Sequence, residues 1–506
     1  MLNMIQKELE KQKNMAVTEN GAIGHKTSGS ALVDMNYQVS SLRSSDEEEI
    51  ITLFDKVFRE NREYALKWLF FARDVREGLG ERRLFRICYA RLYELDIDIF
   101  VANLKNIPEY GRWDDLLYLI GMSEHTDDII IAMLKEQLWE DLENIKANRP
   151  ISLLGKWMPS ENASSKSTKA LARKIIKLLD MSPRQYRLML TKLRKHLNVV
   201  EAQMCAQKWD QINYEEVPSL ANLRYRNAFD RHDYIRRQQY LSLVSTGNAK
   251  LNMSVGTPVD IVSRYTSDNF YRPDFDETLE LAWQNLKDIM IRDTLVVADG
   301  SYSMFTRVSR NIKALDVANA LAIYSSEHNH GIYKNKYITF SNNPQFVEFD
   351  EDSTLMDKIR IALKHDEVEN TNIEAVFDLI LATAIQYNVP QDEMIKNVLI
   401  ISDMEFDAAQ SNPWRFRRGE HNPLTLSLFG LIKQRYETAG YNLPKLIFWN
   451  VNSRTNVIPL TENELGVVLI SGFSQNALKM VMTNKYDPYD VLVEAITSER
   501  YDPICV

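Results

Sequence analysis

The sequence predicts a multidomain chain in which an all-α region of successive helices precedes an α/β domain. Three observations predict it. From about residue 46 to 290, apolar residues recur at i, i+3, i+4 and i+7 in one segment after another, the period of amphipathic helices. From residue 291 onward, short and wholly apolar runs alternate with amphipathic segments, the pattern of buried parallel strands covered by helices on both faces. At the end of the first such run stands Asp299-Gly300-Ser301-Tyr302-Ser303, a polar cluster at the strand end where open α/β sheets gather ligands.

Taken in order, residues 1–45 begin with a charged amphipathic stretch and continue through GAIGHKTSGSALVDMN, whose Gly, Ser, Thr and Asn read as an extended arm. Residues 46–290 hold EEEIITLFDKVF, EYALKWLFFARDV, RRLFRICYARLYEL and DDIIIAMLKEQLWEDLENI as helices, joined by short links such as GLGER and MSPRQ. Ser182 followed by Pro183 reads as an N-cap and first helical residue. Short antiparallel helices in such succession suggest stacked helical hairpins, although no clean repeat is visible. Residues 291–506 supply TLVVAD, KYITF, QFVEF, NVLIISD, KLIFWNV and GVVLISG as strands, with DVANALAIYSSEH, LMDKIRIALKH and IEAVFDLILATAIQY as helices between them.

Composition bounds the function. The 506 residues are 45% hydrophobic and 26% charged, which excludes a disordered or collagenous protein. The three cysteines are far apart and odd in number, so they build no disulfide framework and favour a reducing compartment. No signal core and no run of 18 apolar residues occurs. A soluble cytoplasmic protein with no membrane partner is the expectation.

The net charge of −9 excludes a uniformly basic nucleic-acid coat, yet it is unevenly spread. Residues 291–506 carry −8, whereas residues 164–196 hold ten Lys and Arg against the single acid Asp180, a net of +9. In the first helix of this hairpin Lys166, Lys169, Arg173 and Lys177 share one face, opposite Leu171, Ile175 and Leu178. In the second, Arg184, Arg187 and Arg194 share a stripe and Lys195 adjoins it, opposite Tyr186, Leu190 and Leu193. Two basic stripes opposite core stripes make a face for a polyanion. The plainer reading is a solvated surface or pairing with acids elsewhere. Trp157 and Tyr225 lie near enough in sequence to stack on unpaired bases, or else pack in the core.

Asp299, Ser301, Ser303, Thr371 (in Asn370-Thr371-Asn372) and Asp403 are all hard oxygen donors. They suit Mg2+ or Mn2+ rather than zinc, for which His and Cys are too few. Singly, each of them reads as a helix cap or strand end. Together they resemble the metal-ion-dependent adhesion site (MIDAS) of von Willebrand factor A domains, whose pattern is DxSxS, then Thr, then Asp. That resemblance implies an α/β, Rossmann-like A domain over residues 291–506 and a metal with an open position for an acidic group of a partner. Tyr302 departs from the Gly common in the family, which puts access to the metal in doubt.

The whole layout resembles the Ro autoantigen (TROVE) proteins. It is more similar still to an uncharacterised family carrying TENGAIGHKTSGSALVD, FFARDVREGLGERR, IPEYGRWDDLL, KWMPSENASSKS, YRLMLTKLRKHLNVVE, NTNIEAVFDLIL and ISDMEFD. By that resemblance residues 46–290 would be a HEAT-like, TROVE-like helical-repeat domain holding single-stranded or small noncoding RNA. The alternative is a metal-dependent protein-interaction scaffold without RNA. An enzyme is not expected: no nucleophile elbow or paired-acid motif is present, and only Glu405 and Asp407 offer carboxylates beside the metal set. The segment Gly21 to Thr27 lacks the spacing of a phosphate loop, and His328 and His330 read as a solvated helix end.

Overall fold

The computed structural model describes residues 14–17, 23–268, 273–286, 293–309, 312–341, 343–365, 372–404, 426–452, 467–471 and 487–506. The chain forms two compact units, residues 1–65 with 253–498 and residues 66–252 with 499–506. In the first of these, a hairpin of β1 (Met15–Val17) and β2 (Ile23–His25) precedes α1 (Ala31–Tyr37), α2 (Val39–Leu42) and α3 (Glu47–Glu60). Residues 31–42, expected within an extended arm, are therefore two short helices with buried side chains. The Ser- and Gly-rich composition that suggested a loop instead supplies the cap: Ser30 Oγ accepts from Val33 N–H.

The helical unit contains α4 (Arg62–Arg73), α5 (Arg82–Leu95), α6 (Trp113–Leu117), α7 (Glu124–Lys146), α8 (Leu154–Trp157), α9 (Lys166–Leu178), α10 (Pro183–His196), α11 (Ser219–His232) and α12 (Tyr234–Ser245). Local chemistry sets their ends. Ser182 and Gln185 form a reciprocal capping box, with Ser182 N–H donating to Gln185 Oε1 at 2.8 Å, and Pro183 opens α10 as its spacing predicts. Asn148, Asp180 and Asn198 close α7, α9 and α10 in the left-handed region, which Asn and Asp tolerate best among residues with a side chain.

The core of this unit is aromatic around Phe70, whose ring meets those of Phe85, Tyr89 and Tyr110 edge-on at 5.6, 6.0 and 5.2 Å. Beside it lies the fully buried carboxylate of Asp115. It accepts from Arg73 Nε and Nη2 at 2.8 and 2.7 Å, from Arg86 Nε at 2.7 Å and from Arg112 N–H at 3.1 Å. The chain's last residues complete the unit. Arg500 pairs with Asp74, Tyr501 OH donates to the same carboxylate at 3.2 Å, and Asn103 exchanges two hydrogen bonds with the Cys505 backbone.

The other unit resumes with α13 (Pro258–Asp268) and α14 (Glu277–Gln284), then β3 (Thr294–Ala298), β4 (Arg307–Ser309), β5 (Ile312–Lys313) and α15 (Ala314–His328). It continues with β6 (Lys336–Thr339), β7 (Phe346–Glu348), α16 (Leu355–Ala362), α17 (Ile373–Gln386) and β8 (Asn397–Ser402). It ends with α18 (Leu426–Thr438), β9 (Lys445–Asn450), β10 (Val467–Ser471) and α19 (Pro488–Ile496). The six-stranded sheet runs β10-β9-β8-β3-β6-β7, parallel throughout except for β7 at one edge. From β3 the chain builds outward one way through β6 and β7, then returns to β8 on the other side of β3. The order therefore reverses between β3 and β8, and ligand crevices in such sheets open at the carboxyl end of that junction.

Helices α13 and α14, whose period gave no sign of their neighbours, pack within this α/β unit. Thr266 Oγ1 donates to Asp316 at 2.7 Å, and Trp283 Nε1 donates to Glu327 at 2.8 Å. The buried Glu280 carboxylate accepts from the Leu355 and Met356 N–H groups at 2.8 and 3.0 Å, satisfying the first turn of α16. The helical parts of the α/β unit thus include residues 31–60 and 258–284 as well as those between its strands.

Asp115→Ala leaves Arg73 buried without its partner, so the helical unit should lose about 3–5 kcal/mol of stability. Hydrogen exchange through α4 and α5 reads this directly. Protection there should fall, while β3 and β8 keep theirs.

Candidate functional site

The end of β3 and the end of β8 meet in register, with Ala298 opposite Ile401 and Asp299 N–H donating to Ile401 O at 3.1 Å. That register brings two carboxylates to the junction where the strand order reverses, Asp299 and Asp403, both buried. Asp299 is held by its neighbours. Ser301 N–H donates to Oδ1 at 2.9 Å, and Ser402 Oγ donates to Oδ2 at 2.6 Å. The Ser301 and Ser303 hydroxyls lie 2.9 Å apart across the turn after β3. Past β8, Met404 takes a left-handed φ of 63°, and its N–H donates to Ser402 Oγ at 3.0 Å.

Two clustered hydroxyls, an oriented carboxylate and a second carboxylate at the adjoining strand end form a hard-oxygen donor set, which fits Mg2+ or Mn2+. Among the described residues no three His, Cys, Asp or Glu side chains gather to hold a metal, so hydroxyls must belong to any such set. Thr371, the fifth predicted ligand, lies outside the described residues, as do Glu405 and Asp407. Neighbouring Asn372 is described and caps α17, accepting from Ala375 N–H at 3.1 Å. Ser402 escaped sequence reasoning because a single polar residue ending an apolar strand carries no distinctive spacing. Tyr302 stands out into solvent at 76% exposure and lies nearly parallel to Phe305, centroids 6.0 Å apart.

The N-terminal helices reach the same end of the sheet. Ser40 Oγ donates to Asn450 O at 3.0 Å, Ser40 N–H donates to Ser471 Oγ at 3.1 Å, and Asn450 Nδ2 donates to Tyr37 O at 3.0 Å. Of the Gly21–Thr27 segment, residues 23–27 are described, and Ile23–His25 form β2. Thr27 and Ser28 are tied to Asp34, and Glu60 occupies the start of α1 by accepting from Ala31 N–H at 2.6 Å and Ser30 Oγ at 2.7 Å.

In the helical unit, α9 and α10 bury Ala172, Ile175, Ile176, Tyr186, Leu190 and Leu193. Lys166, Arg173, Lys177, Arg184, Arg187 and Lys195 are exposed, and Lys169 is half-buried. Arg187 pairs with Glu161 at 2.7 Å. Arg194 differs from the rest of the predicted stripe, because its guanidinium turns inward onto the 155–160 loop. It donates to Gly155 O, Met158 O and Ser160 Oγ at 2.9, 2.7 and 2.8 Å, and burial lowers its pKa. Trp157 carries the Arg112 guanidinium 4.1 Å above its ring, and Tyr225 is half-buried with its OH on Glu201. Neither is an open stacking platform.

Comparison with known proteins adds family membership. Residues 18–132 and 127–294 match a domain of unknown function, DUF2828, and residues 293–500 match another, DUF7788. An uncharacterized protein, L728, of Acanthamoeba polyphaga mimivirus is 30% identical over 533 residues, covering 97% of this chain and 89% of the viral protein. The crystal structure of the Deinococcus radiodurans Ro (RSR) protein aligns over 90% of this chain and 93% of its own, with a TM-score of 0.36 and 13% identity. With more than half of its length matched by one family model and nearly all of it by this relative, the chain belongs to the DUF2828 family.

Proposed function

We propose that this protein binds single-stranded or small noncoding RNA through the α9–α10 face of its helical unit, in the manner its resemblance to Ro proteins implies. One observation carries the reading. Among the described residues Lys166, Lys169, Arg173, Lys177, Arg184, Lys192 and Lys195 have no acidic partner, whereas nearby Lys174 and Arg187 are paired with Asp127 and Glu161. Unpaired like charges on one hairpin repel one another and are relieved by a polyanion, whose bound counterions are released. A merely solvated face would show the mixed signs seen elsewhere in this unit.

In the same proposal the α/β unit is a von Willebrand factor A-like domain with a MIDAS-type centre. Asp299, Ser301, Ser303, Thr371 and Asp403 would hold Mg2+ or Mn2+ there, directly or through water. A bound ion of this kind supplies an open position that attracts an acidic oxygen. The chain's own contribution is orientation: Ser402 and the Ser301 N–H fix the Asp299 carboxylate, and the β3 turn sets the two hydroxyls together. The reading is of a binding protein rather than an enzyme. A second reading, a protein-interaction scaffold, is favoured by exposed Tyr302, since aromatic anchors beside a charged centre are what interfaces use.

Changing Lys177, Arg184 and Lys195 to Glu should abolish binding of single-stranded RNA in a filter or anisotropy assay, leaving the melting profile intact because all three are exposed. Wild-type affinity should fall steeply with salt. Arg194 is unsuited to this test, as its loss would unfold the 155–160 loop. Separately, Asp299→Ala should abolish Mn2+ binding measured by calorimetry without altering RNA affinity. A protein partner captured only with divalent metal, together with no RNA binding at low salt, would favour the scaffold instead.

A further inference from the structure

A second cationic cluster lies in the helical unit, built from the FFARDVREGLGERRLFR, GRWDD and GKW segments. Four guanidiniums, those of Arg73, Arg82, Arg86 and Arg112, surround two carboxylates, those of Asp114 and Asp115. Asp115 is fully buried and its acceptor capacity is taken up by Arg73, Arg86 Nε and the Arg112 backbone. That leaves Asp114 facing three arginines. Their Nη2 atoms converge on its single oxygen Oδ2, at 3.1 Å for Arg112, 3.2 Å for Arg86 and 3.4 Å for Arg82. The other oxygen, Oδ1, is buried and stands 3.0 Å from Arg112 Nε, with no hydrogen bond among the described residues.

The three arginines are not equivalent. Arg112 lies over the Trp157 ring at 4.1 Å, and Arg86 lies over Tyr118 at 4.9 Å. Arg82 is 47% exposed and makes no hydrogen bond among the described residues, since it stands 3.4 and 3.7 Å from the two carboxylates. Burial and then the neighbouring Arg86 charge press its pKa down, against the pull of Asp114 and Asp115. Planar guanidiniums, fixed by aromatic rings and gathered around one carboxylate oxygen, match the tetrahedral oxygens of a phosphate.

We propose that Arg82, Arg86 and Arg112 form a phosphate-binding site in the helical unit, with Asp114 as the internal anion that orients them. The proposal deepens the RNA reading and rests on it for the owner of the phosphate, which is a backbone group of the bound RNA. A free phosphate compound shares the chemistry and is the other source the test separates.

The test uses the full chain, with a fluorescein-labelled oligouridylate followed by anisotropy and inorganic pyrophosphate followed by calorimetry. Arg82→Gln removes the one guanidinium that props up nothing else, so the melting profile serves as a control for folding. The expected result is RNA affinity roughly tenfold weaker and a log–log salt slope smaller by about one, with pyrophosphate competing in the wild type and lost in the variant. Arg82→Lys should recover part of the loss, because it keeps the charge without the fork. Pyrophosphate binding that depends on Arg82, in a protein whose RNA binding does not, supports the site with a free phosphate compound as its ligand. Absence of wild-type RNA binding at low salt defeats the RNA reading alone, and the pyrophosphate arm still decides the cluster. If Arg82→Gln changes neither affinity by more than twofold while the fold is intact, the proposal is overturned.

Discussion

The buried carboxylate of Asp115 is the constraint around which the helical unit is organised. It sits at the start of α6 and accepts from Arg73 at the end of α4, from Arg86 inside α5 and from its own cap residue, Arg112. Burying a guanidinium without a partner is costly, so Arg73, at 2% exposure, depends on Asp115. The pair in turn fixes the spacing of three helices and the placement of the Phe70 aromatic core beside them. Because more guanidiniums than carboxylates assemble there, the stabilising device leaves surplus positive charge on the unit's surface. The α9–α10 hairpin adds a second and larger surplus. The helical unit thus combines arginines neutralised in its interior with surplus surface cations, the proposed seat of a polyanion.

The α/β unit solves a different problem with the opposite charge. Its doubly wound order puts the ends of β3 and β8 side by side, and two carboxylates there would repel each other if left unsupported. Ser402 and the Ser301 backbone hydrogen-bond the Asp299 carboxylate, and the Ser301 and Ser303 hydroxyls stand together beside it. The proposed divalent ion would add positive charge to this hard-oxygen set.

Much of the fold was legible in the sequence, for physical reasons that also explain the rest. The expected strands fall on β3 and β6–β10 because short apolar or alternating runs bounded by turns have few other stable homes. The helix ends at Ser182-Pro183 follow from capping chemistry within four residues. Long-range facts were not legible. The helical period of α13 and α14 shows that each has a buried face, but only the Thr266–Asp316 and Glu280–Leu355 contacts show which unit buries it. The Ser-rich arm turned out to include buried helices because Ser40 and Tyr37 find their partners more than 400 residues later, at Asn450 and Ser471. Among the candidate site residues, Arg194 shared the spacing of the exposed stripe yet turns inward, since the carbonyls it satisfies belong to a loop that periodicity cannot place. The Arg82–Arg86–Arg112 cluster went unseen because its members come from two separated segments.

The central claim is that an uncompensated cationic face on the helical unit holds RNA. It is tested most directly by purifying the full chain at moderate salt, cross-linking with ultraviolet light, and mapping the peptides that carry nucleotide. The expected result is copurifying RNA with cross-links concentrated in residues 164–196. Protein free of nucleic acid at every salt concentration, or cross-links confined to the α/β unit, would contradict it.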